Sequence, residues 1–371
     1  MSHPTVVHWF RSDLRLGDHP SWHAAVTEAQ TLGLPLLAVY VRHRAEASPT
    51  PWSPVRSGAR RRAWLTSNLQ ALDAQLRQQG QSLLILEGTP AETLPALMSA
   101  LHGVSLHAES WPAPEEQAQE QALLAQAGNW RLCLHAPSVL LPAASLPWAH
   151  HDVPDGFTPM RQAVEAQMAA SGGPWPTPLE APRDVPPPPP MSAGTLQGLN
   201  PTRGLSAQMR APTGDPRSSF PFEAGAVQAG EHGAKAHLRH YLDRGLPHLY
   251  KTTRNQLIGL DFSSKWSPWL ALGAISAPQL MHAVRQFEAE HGANEGSYWL
   301  WFELLWREHF RLMQHKHGLA LYRWRGLCSA NDARQRWRGN PRPWGPDSAP
   351  AHAWRHGETG QPLVDAGIVP Q

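Results

Sequence analysis

The run from Tyr298 to Met313, YWLWFELLWREHFRLM, joins residue types that seldom share a helix. Six of its first thirteen residues are aromatic, yet Glu303, Arg307, Glu308 and Arg311 stand among them. At helical spacing, Trp299, Glu303, Trp306, Arg307 and Phe310 fall on one face, collecting two indoles, a carboxylate and a guanidinium. Such a face suits a flat, polar, conjugated ligand. The alternative is a buried amphipathic helix with a Glu303–Arg307 ion pair at i,i+4. Upstream, Tyr250-Lys-Thr-Thr-Arg254-Asn precedes Asp261-Phe-Ser263-Ser264-Lys265-Trp266-Ser267-Pro268-Trp269. Three serines and a lysine directly before a proline that can open a helix make an anion site suited to a pyrophosphate. A plain N-cap explains one serine, not three with a lysine. Near the start, Arg11-Ser-Asp13-Leu-Arg15 alternates two arginines with an aspartate. That pattern either clamps a phosphate or braces a loop.

Apolar stretches at Val6 to Phe10, Leu34 to Val41, Ser82 to Leu86, Val104 to His107 and Trp130 to Leu134 predict strands. Helical patterns lie between them at Trp22 to Leu32, Arg60 to Gln79, Ala91 to Leu101 and Glu115 to Ala127. Alternation of this kind predicts βαβ units and a parallel sheet, with ligands at the carboxyl ends of the strands. No G-x-G-x-x-G follows the first strand, so the dinucleotide fingerprint is missing. Residues from about Gly172 to Pro221 turn rich in Pro, Gly and Ser, including the run Pro186 to Pro190, and predict an extended connection over the surface. From Gly230 the pattern is helical, at Glu231 to Leu242, Tyr250 to Leu257, Pro268 to Leu272, Pro278 to His291 and Glu295 to His317. The expected architecture is α/β followed by α: a Rossmann-like parallel-sheet domain over 1–140, a Pro/Gly-rich crossing over 141–222 and an all-helical domain over 223–371.

The chain has 371 residues, enough for two domains, and a formal net charge of +2, which carries no strong electrostatic message. Charge is uneven, however. Arg323 to Arg342 holds six arginines interleaved with Trp324 and Trp337, a composition that suits either a nucleic-acid surface or a solvated basic face. Seventeen tryptophans exceed the eight phenylalanines, a bias that fits stacking surfaces or electron relays. The two cysteines, Cys133 and Cys328, lie far apart without metal-ligand spacing, so no disulfide and no metal site is expected. A reduced cytoplasm is the natural compartment, and no apolar run reaches membrane-spanning length.

The opening His8-Trp-Phe-Arg-Ser-Asp-Leu-Arg-Leu16 resembles the first motif of the photolyase and cryptochrome family, with His19 where that family usually has Asn. The ordered set Y-K-x-T-R-N, D-F-S-S-K-W-S-P-W-L-A-x-G and Y-W-L-W-F-E-L-L-W-R-E-H-F is similar to the flavin domain of its DASH branch. Asp215-Pro-Arg-Ser-Ser-Phe-Pro-Phe222 also looks like that branch's entry into its helical domain. Together these matches cover residues 6 to 16 and most of 215 to 365.

The resemblance implies an FAD-dependent deoxyribodipyrimidine photolyase, a carbon–carbon lyase that repairs cyclobutane pyrimidine dimers in light, preferentially in single-stranded DNA. Tyr250, Ser263, Ser264, Lys265, Trp266, Ser267 and Arg307 would hold FAD. Arg254 would meet a DNA phosphate. Glu303, Trp306 and Arg307 would line the lesion pocket, Trp306 stacking on a flipped-out pyrimidine pair and Glu303 hydrogen-bonding its base edge. Trp266 replaces the family's usual Phe. A 5,10-methenyltetrahydrofolate antenna would sit between the domains, with Glu109 near its pocket, although a capping or surface role also suits that carboxylate. A monomer is expected. Trp354 to Ala366 looks like the family motif W-x-x-G-x-T-G-x-P-x-V-D-A, after which the family continues into M-R and further helices, whereas this sequence reads Gly367-Ile-Val-Pro-Gln371. On that basis the helical domain is expected to lack its last helices, to expose Trp299, Phe302 and Trp306, and to retain FAD weakly. The alternatives are a non-catalytic blue-light photoreceptor or nucleic-acid-binding remnant, and an unrelated α/β nucleotide-binding protein.

Overall fold

The computed structural model describes residues 4–49, 55–171, 176–202 except 193 and 195, 227–323 except 257 and 258, 325–329 and 348–368. The Asp215–Phe222 motif, Leu257 and most of the arginine-tryptophan stretch, including Trp324, Trp337 and four of its arginines, lie outside the described residues.

Five parallel strands form the N-terminal sheet: β1 (Thr5–Phe10), β2 (Leu36–His43), β3 (Leu83–Gly88), β4 (Gly103–Glu109) and β5 (Arg131–His135), in the order β3-β2-β1-β4-β5. Helices α1 (Pro20–Leu32), α2 (Ala59–Gln78), α3 (Pro90–Ala100) and α4 (Pro114–Leu124) connect them and cover both faces. Every residue of β1 is buried, as a central parallel strand requires. Proline stands at the first turn of α1, α3 and α4, where its missing N–H costs nothing. The strand order reverses between β1 and β4. The carboxyl ends of those strands therefore flank the crevice where open α/β sheets bind ligands.

The crossing between domains holds more structure than its composition suggests. A helix, α5 (Phe157–Ser171), lies inside the 141–222 segment. Phe157, Met160 and Val164, at helical spacing, are all buried, and that apolar stripe docks the helix. The proline-rich residues that follow run extended along the α/β domain. Prolines donate nothing, but their carbonyls accept: Leu36 N–H bonds Pro187 O at 3.2 Å, and the Gln81 amide reaches both Pro186 O and Leu36 O.

The helical domain holds α6 (Gly230–Asp243), α7 (Tyr250–Thr253), α8 (Ser267–Leu272), α9 (Ala277–His291) and α10 (Glu295–His317), followed by two short helices, α11 (Ala349–His356) and α12 (Pro362–Ile368). α7 starts at Tyr250 as the sequence pattern predicts but ends at Thr253, with Arg254 as its C-cap, and a 3-10 turn over Leu246–Leu249 precedes it. Helix α10 starts at a capping box in which Asn294 and Ser297 exchange side-chain bonds with each other's N–H groups. It ends in His315, Lys316 and His317, which complement the helix dipole.

One apolar cluster runs continuously from the sheet face carrying Val6, Phe10 and Tyr40 into Trp266, Trp269, Leu300 and Leu305 of the helical domain. Hydrogen bonds to backbone carbonyls, one from a backbone N–H and one from the Arg15 guanidinium, stitch the same boundary. Leu14 N–H donates to Leu272 O at 2.9 Å, and Arg15 donates to Gly273 O at 3.0 Å. Gly273 has φ +65°, and a Cβ there would run into Ser12 O and the Asp13 backbone, so only glycine permits this approach. Trp299, Phe302 and Trp306, expected to be exposed, are half-buried: Phe157 of α5 packs on Phe302 and Trp306, and Trp299 lies against Phe302 and Arg254. Exposed apolar rings and chains sit instead at Phe310, Tyr322, Trp354 and Leu363. No helix among the described residues is long and apolar enough to cross a membrane.

Candidate functional site

A cavity of about 690 Å³ opens at the carboxyl ends of β1 and β2 and extends into the helical domain. Its α/β wall is Trp9, Phe10, Arg11, Ser12, Tyr40, Val41 and Trp111. Its helical wall is Tyr250, Ser264, Trp266, Ser267, Leu300, Glu303, Leu304 and Arg307. Volumes of this order, lined by aromatic and a few polar groups, are typical of cofactor sites. The two chemically marked stretches of the sequence therefore converge on one space.

In the Ser263–Ser267 segment the N-cap position of α8 is Trp266, which makes no side-chain capping bond. The serine hydroxyls are not spent as caps, contrary to the plainer alternative. Lys265 adopts φ +53°, a left-handed conformation costing roughly 1 kcal/mol or more for a residue with a Cβ. Desolvation pulls its ammonium below the ordinary lysine range. Trp266 is buried, lines the cavity, and its indole Nε1–H has no acceptor among the described residues. An orphaned buried donor costs about 1–3 kcal/mol. Ser263 and Lys265 do not line the cavity themselves, while His237 donates to the Ser264 carbonyl at 2.8 Å and supports the loop from behind.

Helix α10 divides its charged residues differently from the i,i+4 expectation. Glu303 pairs with Arg254, not Arg307. The Arg254 guanidinium also lies 4.3 Å from the Trp299 ring centroid, a cation–π contact. Tyr250 joins this group: burial, then Glu303, pushes its phenol up, while a hydrogen bond with Arg254 opposes them. Arg307 bonds Glu308 at 2.9 Å, and Glu308 is 2% exposed. Glu303 and Arg307 reach the cavity. Trp306 does not line it: its ring stacks on Phe157 with centroids 3.7 Å apart and planes 11° apart.

The Arg11-Ser-Asp-Leu-Arg15 motif braces. Arg11 donates to Glu120 Oε1 at 2.5 Å and Glu109 O at 2.9 Å, with its guanidinium 4.6 Å from the Trp9 ring. Arg15 binds the Asp18 and Gly273 carbonyls. Glu109 is no surface residue: it is 1% exposed, with Oε1 3.5 Å from Arg15 and 3.6 Å from His19 Nδ1. Burial, reinforced by Asp13, pushes its carboxyl up. Sequence reasoning did not foresee Tyr40 and Trp111 in the cavity wall. The available signal was their position in the second half of β2 and two residues beyond β4, toward the carboxyl ends where ligands of parallel sheets gather.

Residues 6–183 match the DNA photolyase family. Over its whole length the chain is similar to cryptochrome DASH of Gloeobacter violaceus, 33% identical over 371 residues that cover 99% of this chain and 68% of the relative. The crystal structure of the cryptochrome of Synechocystis sp. PCC6803 superposes with a TM-score of 0.84 at 30% identity, covering 99% of this chain and 71% of that one. An archaeal photolyase of Sulfolobus tokodaii, crystallised with two FAD molecules, shares the fold at a TM-score of 0.65 and 15% identity, covering 98% of this chain and 69% of that one.

Proposed function

Because the chain belongs to the cryptochrome DASH branch of the DNA photolyase and cryptochrome family, we propose that it binds FAD in the interdomain cavity and splits cyclobutane pyrimidine dimers in light, preferentially in single-stranded DNA. One observation carries the reading: Tyr250, Ser264, Trp266 and Ser267 share a single cavity with Glu303 and Arg307. The residues present fit FAD. The space is large enough, its wall offers aromatic surface, and the serine hydroxyls are free of capping duty. Ser264 and Ser267, which line the cavity, are assigned to the phosphates and ribityl chain, with Ser263 and Lys265 beside them in the same loop, and Tyr250 and Arg307 to the walls. Bound and reduced, FAD would supply light-driven one-electron chemistry at this site.

The remaining work falls to this chain's own side chains. Arg254 meets a backbone phosphate when it leaves Glu303, and Glu303 then bonds the edge of the extruded base. Trp306, backed by Phe157, offers an indole for stacking. The apolar walls at Leu300 and Leu304 exclude water from the lesion. A 5,10-methenyltetrahydrofolate antenna belongs between the domains in the same reading, and the protein acts as a cytoplasmic monomer.

The test is reconstitution with FAD, photoreduction, and blue illumination of dimer-containing oligothymidylate. Flavin uptake at saturating FAD, with light-dependent loss of dimers, is expected. Failure to hold flavin overturns the cofactor assignment. Flavin and DNA binding without dimer loss would instead identify a non-catalytic photoreceptor.

A further inference from the structure

The spacing of Cys133 in the sequence gives it no metal-binding partner, but the strand pairing does. In the β4–β5 register His107 stands opposite Cys133, so their side chains leave the same face of the sheet side by side. Helix α1 crosses that face and brings Glu28 Oε2 to 2.8 Å from His107 Nε2. The Glu28 carboxylate, a His107 ring nitrogen and the Cys133 thiol all lie within 4.8 Å of one another. His135, two residues beyond Cys133, stacks on His107 with centroids 5.1 Å apart and places its Nε2 2.9 Å from His107 Nδ1. His107 is buried, whereas Glu28, Cys133 and His135 are half-buried, so an ion can reach the group from solvent.

We infer that Glu28, His107 and Cys133 form a binding site for a zinc-class divalent cation, with His135 orienting His107 as a positioning residue. Carboxylate oxygen, imidazole nitrogen and thiolate sulfur are the donor set zinc takes. Tetrahedral bonds of about 2.0–2.3 Å put such donors roughly 3.3–3.8 Å apart. The 2.8 Å Glu28–His107 bond therefore opens by roughly half an ångström as the metal replaces the proton between them. A fourth position is left for water.

Protons balance across the binding step. Before binding, neutral His107 donates from Nε2 to Glu28 and accepts at Nδ1 from His135 Nε2–H. On binding, His107 carries its proton on Nδ1 and donates it to His135 Nε2, while the His135 proton moves to its own Nδ1. Both imidazoles stay neutral, and one proton, from the Cys133 thiol, leaves to solvent. Burial favours this arrangement at the rings, holding His107 and His135 below the ordinary histidine range, and opposes it at the thiol, which is pushed up. A dication with one carboxylate and one thiolate is then neutral overall. The other Glu28 oxygen accepts from Ser105 Oγ at 2.9 Å and from Arg131 at 2.7 Å, so Glu28 ligates through Oε2 alone. Arg131 is 68% exposed, and water screens its repulsion of the ion. Bound metal would pin β5, at the sheet edge, to β4 and α1.

The test uses the full chain, reduced and stripped with chelator, titrated with cobalt(II). One equivalent should develop a thiolate-to-cobalt charge-transfer band, and zinc should abolish it. Cys133→Ser should lose the band and Cys328→Ser keep it. His135→Asn should weaken binding by about 10–100-fold, the usual effect of removing a ligand's orienting partner. Calorimetry in two buffers of different ionisation enthalpy should show release of one proton. If Cys133→Ser does not fold by circular dichroism, Glu28→Gln probes the same ligand set, and cobalt binding as tight as the parent's in that variant overturns the inference. No band in the parent protein, or a band that survives Cys133→Ser, overturns it equally.

Discussion

Replacing Glu303 by Gln should tighten binding of undamaged single-stranded DNA. In the free protein Glu303 holds Arg254, the residue assigned to a DNA phosphate, in an ion pair whose side chains are 28% and 41% exposed for Arg254 and Glu303. Pairs this open to water are worth up to about 1 kcal/mol, well below their unscreened Coulomb energy. Breaking this one to bind a phosphate costs DNA affinity by that amount, so removing the competing carboxylate returns up to about fivefold. The Trp299 ring, 4.3 Å from the guanidinium centre, still holds Arg254 in place in the variant. Arg254→Ala should act oppositely and lower the slope of log affinity against log salt by about 0.7, the value for one phosphate contact on a single strand. Fluorescence anisotropy with a labelled oligonucleotide across a salt series reads both quantities. An Arg254→Ala slope equal to that of the parent refutes the phosphate assignment, and unchanged or weaker binding by Glu303→Gln refutes the competition.

Three further outcomes follow from the packing. Glu231 is buried, which by itself raises its carboxyl, but the Lys235 ammonium and the N–H groups of Leu16 and Gly17 overcome that and hold it below the ordinary range. A depressed carboxyl stabilises the fold above its unfolded value, near 4.3, and loses that contribution as pH falls through the folded value. Glu231→Gln should therefore cost about 1–3 kcal/mol at neutral pH, and urea unfolding below about pH 4 should show the gap from the parent closing. Gly273→Ala should cost about 2 kcal/mol or more, combining a left-handed φ with a backbone clash against Ser12; an unchanged denaturation midpoint would contradict the close approach. Phe157→Ala should lose about 3–5 kcal/mol and shift tryptophan fluorescence as Trp306 loses its stacking partner; no spectral change would argue against that contact.

Much of the fold was legible in the linear chain. Strand–helix alternation set out the parallel sheet because a strand's two-residue period and a helix's 3.6-residue period are local properties of the residues themselves. The caps of α9 and α10 and the prolines at helix starts are likewise written within a few residues of where they act. The Pro-rich crossing was legible as extended but not as docked, since the docking of α5 depends on what Phe157 meets, not on its neighbours in sequence. The Ser263–Ser267 stretch stands out in the sequence because its hydroxyls exceed what one helix cap uses.

Partner choice was decided only in three dimensions. Periodicity places Glu303, Trp306 and Arg307 on neighbouring positions of one helix, but an i,i+4 ion pair is worth only a few tenths of a kcal/mol, so a better-placed residue from another element takes over. Arg254 claims Glu303, Phe157 claims Trp306, and Glu109 is drawn into the buried crevice between Arg15 and His19. Cys133 acquires His107 as a neighbour through strand register, which no spacing within β5 encodes. The sequence by itself determined which elements form and which faces are polar. Tertiary packing decided which charges and rings meet across them, because those meetings are set by burial of the whole core rather than by any local preference.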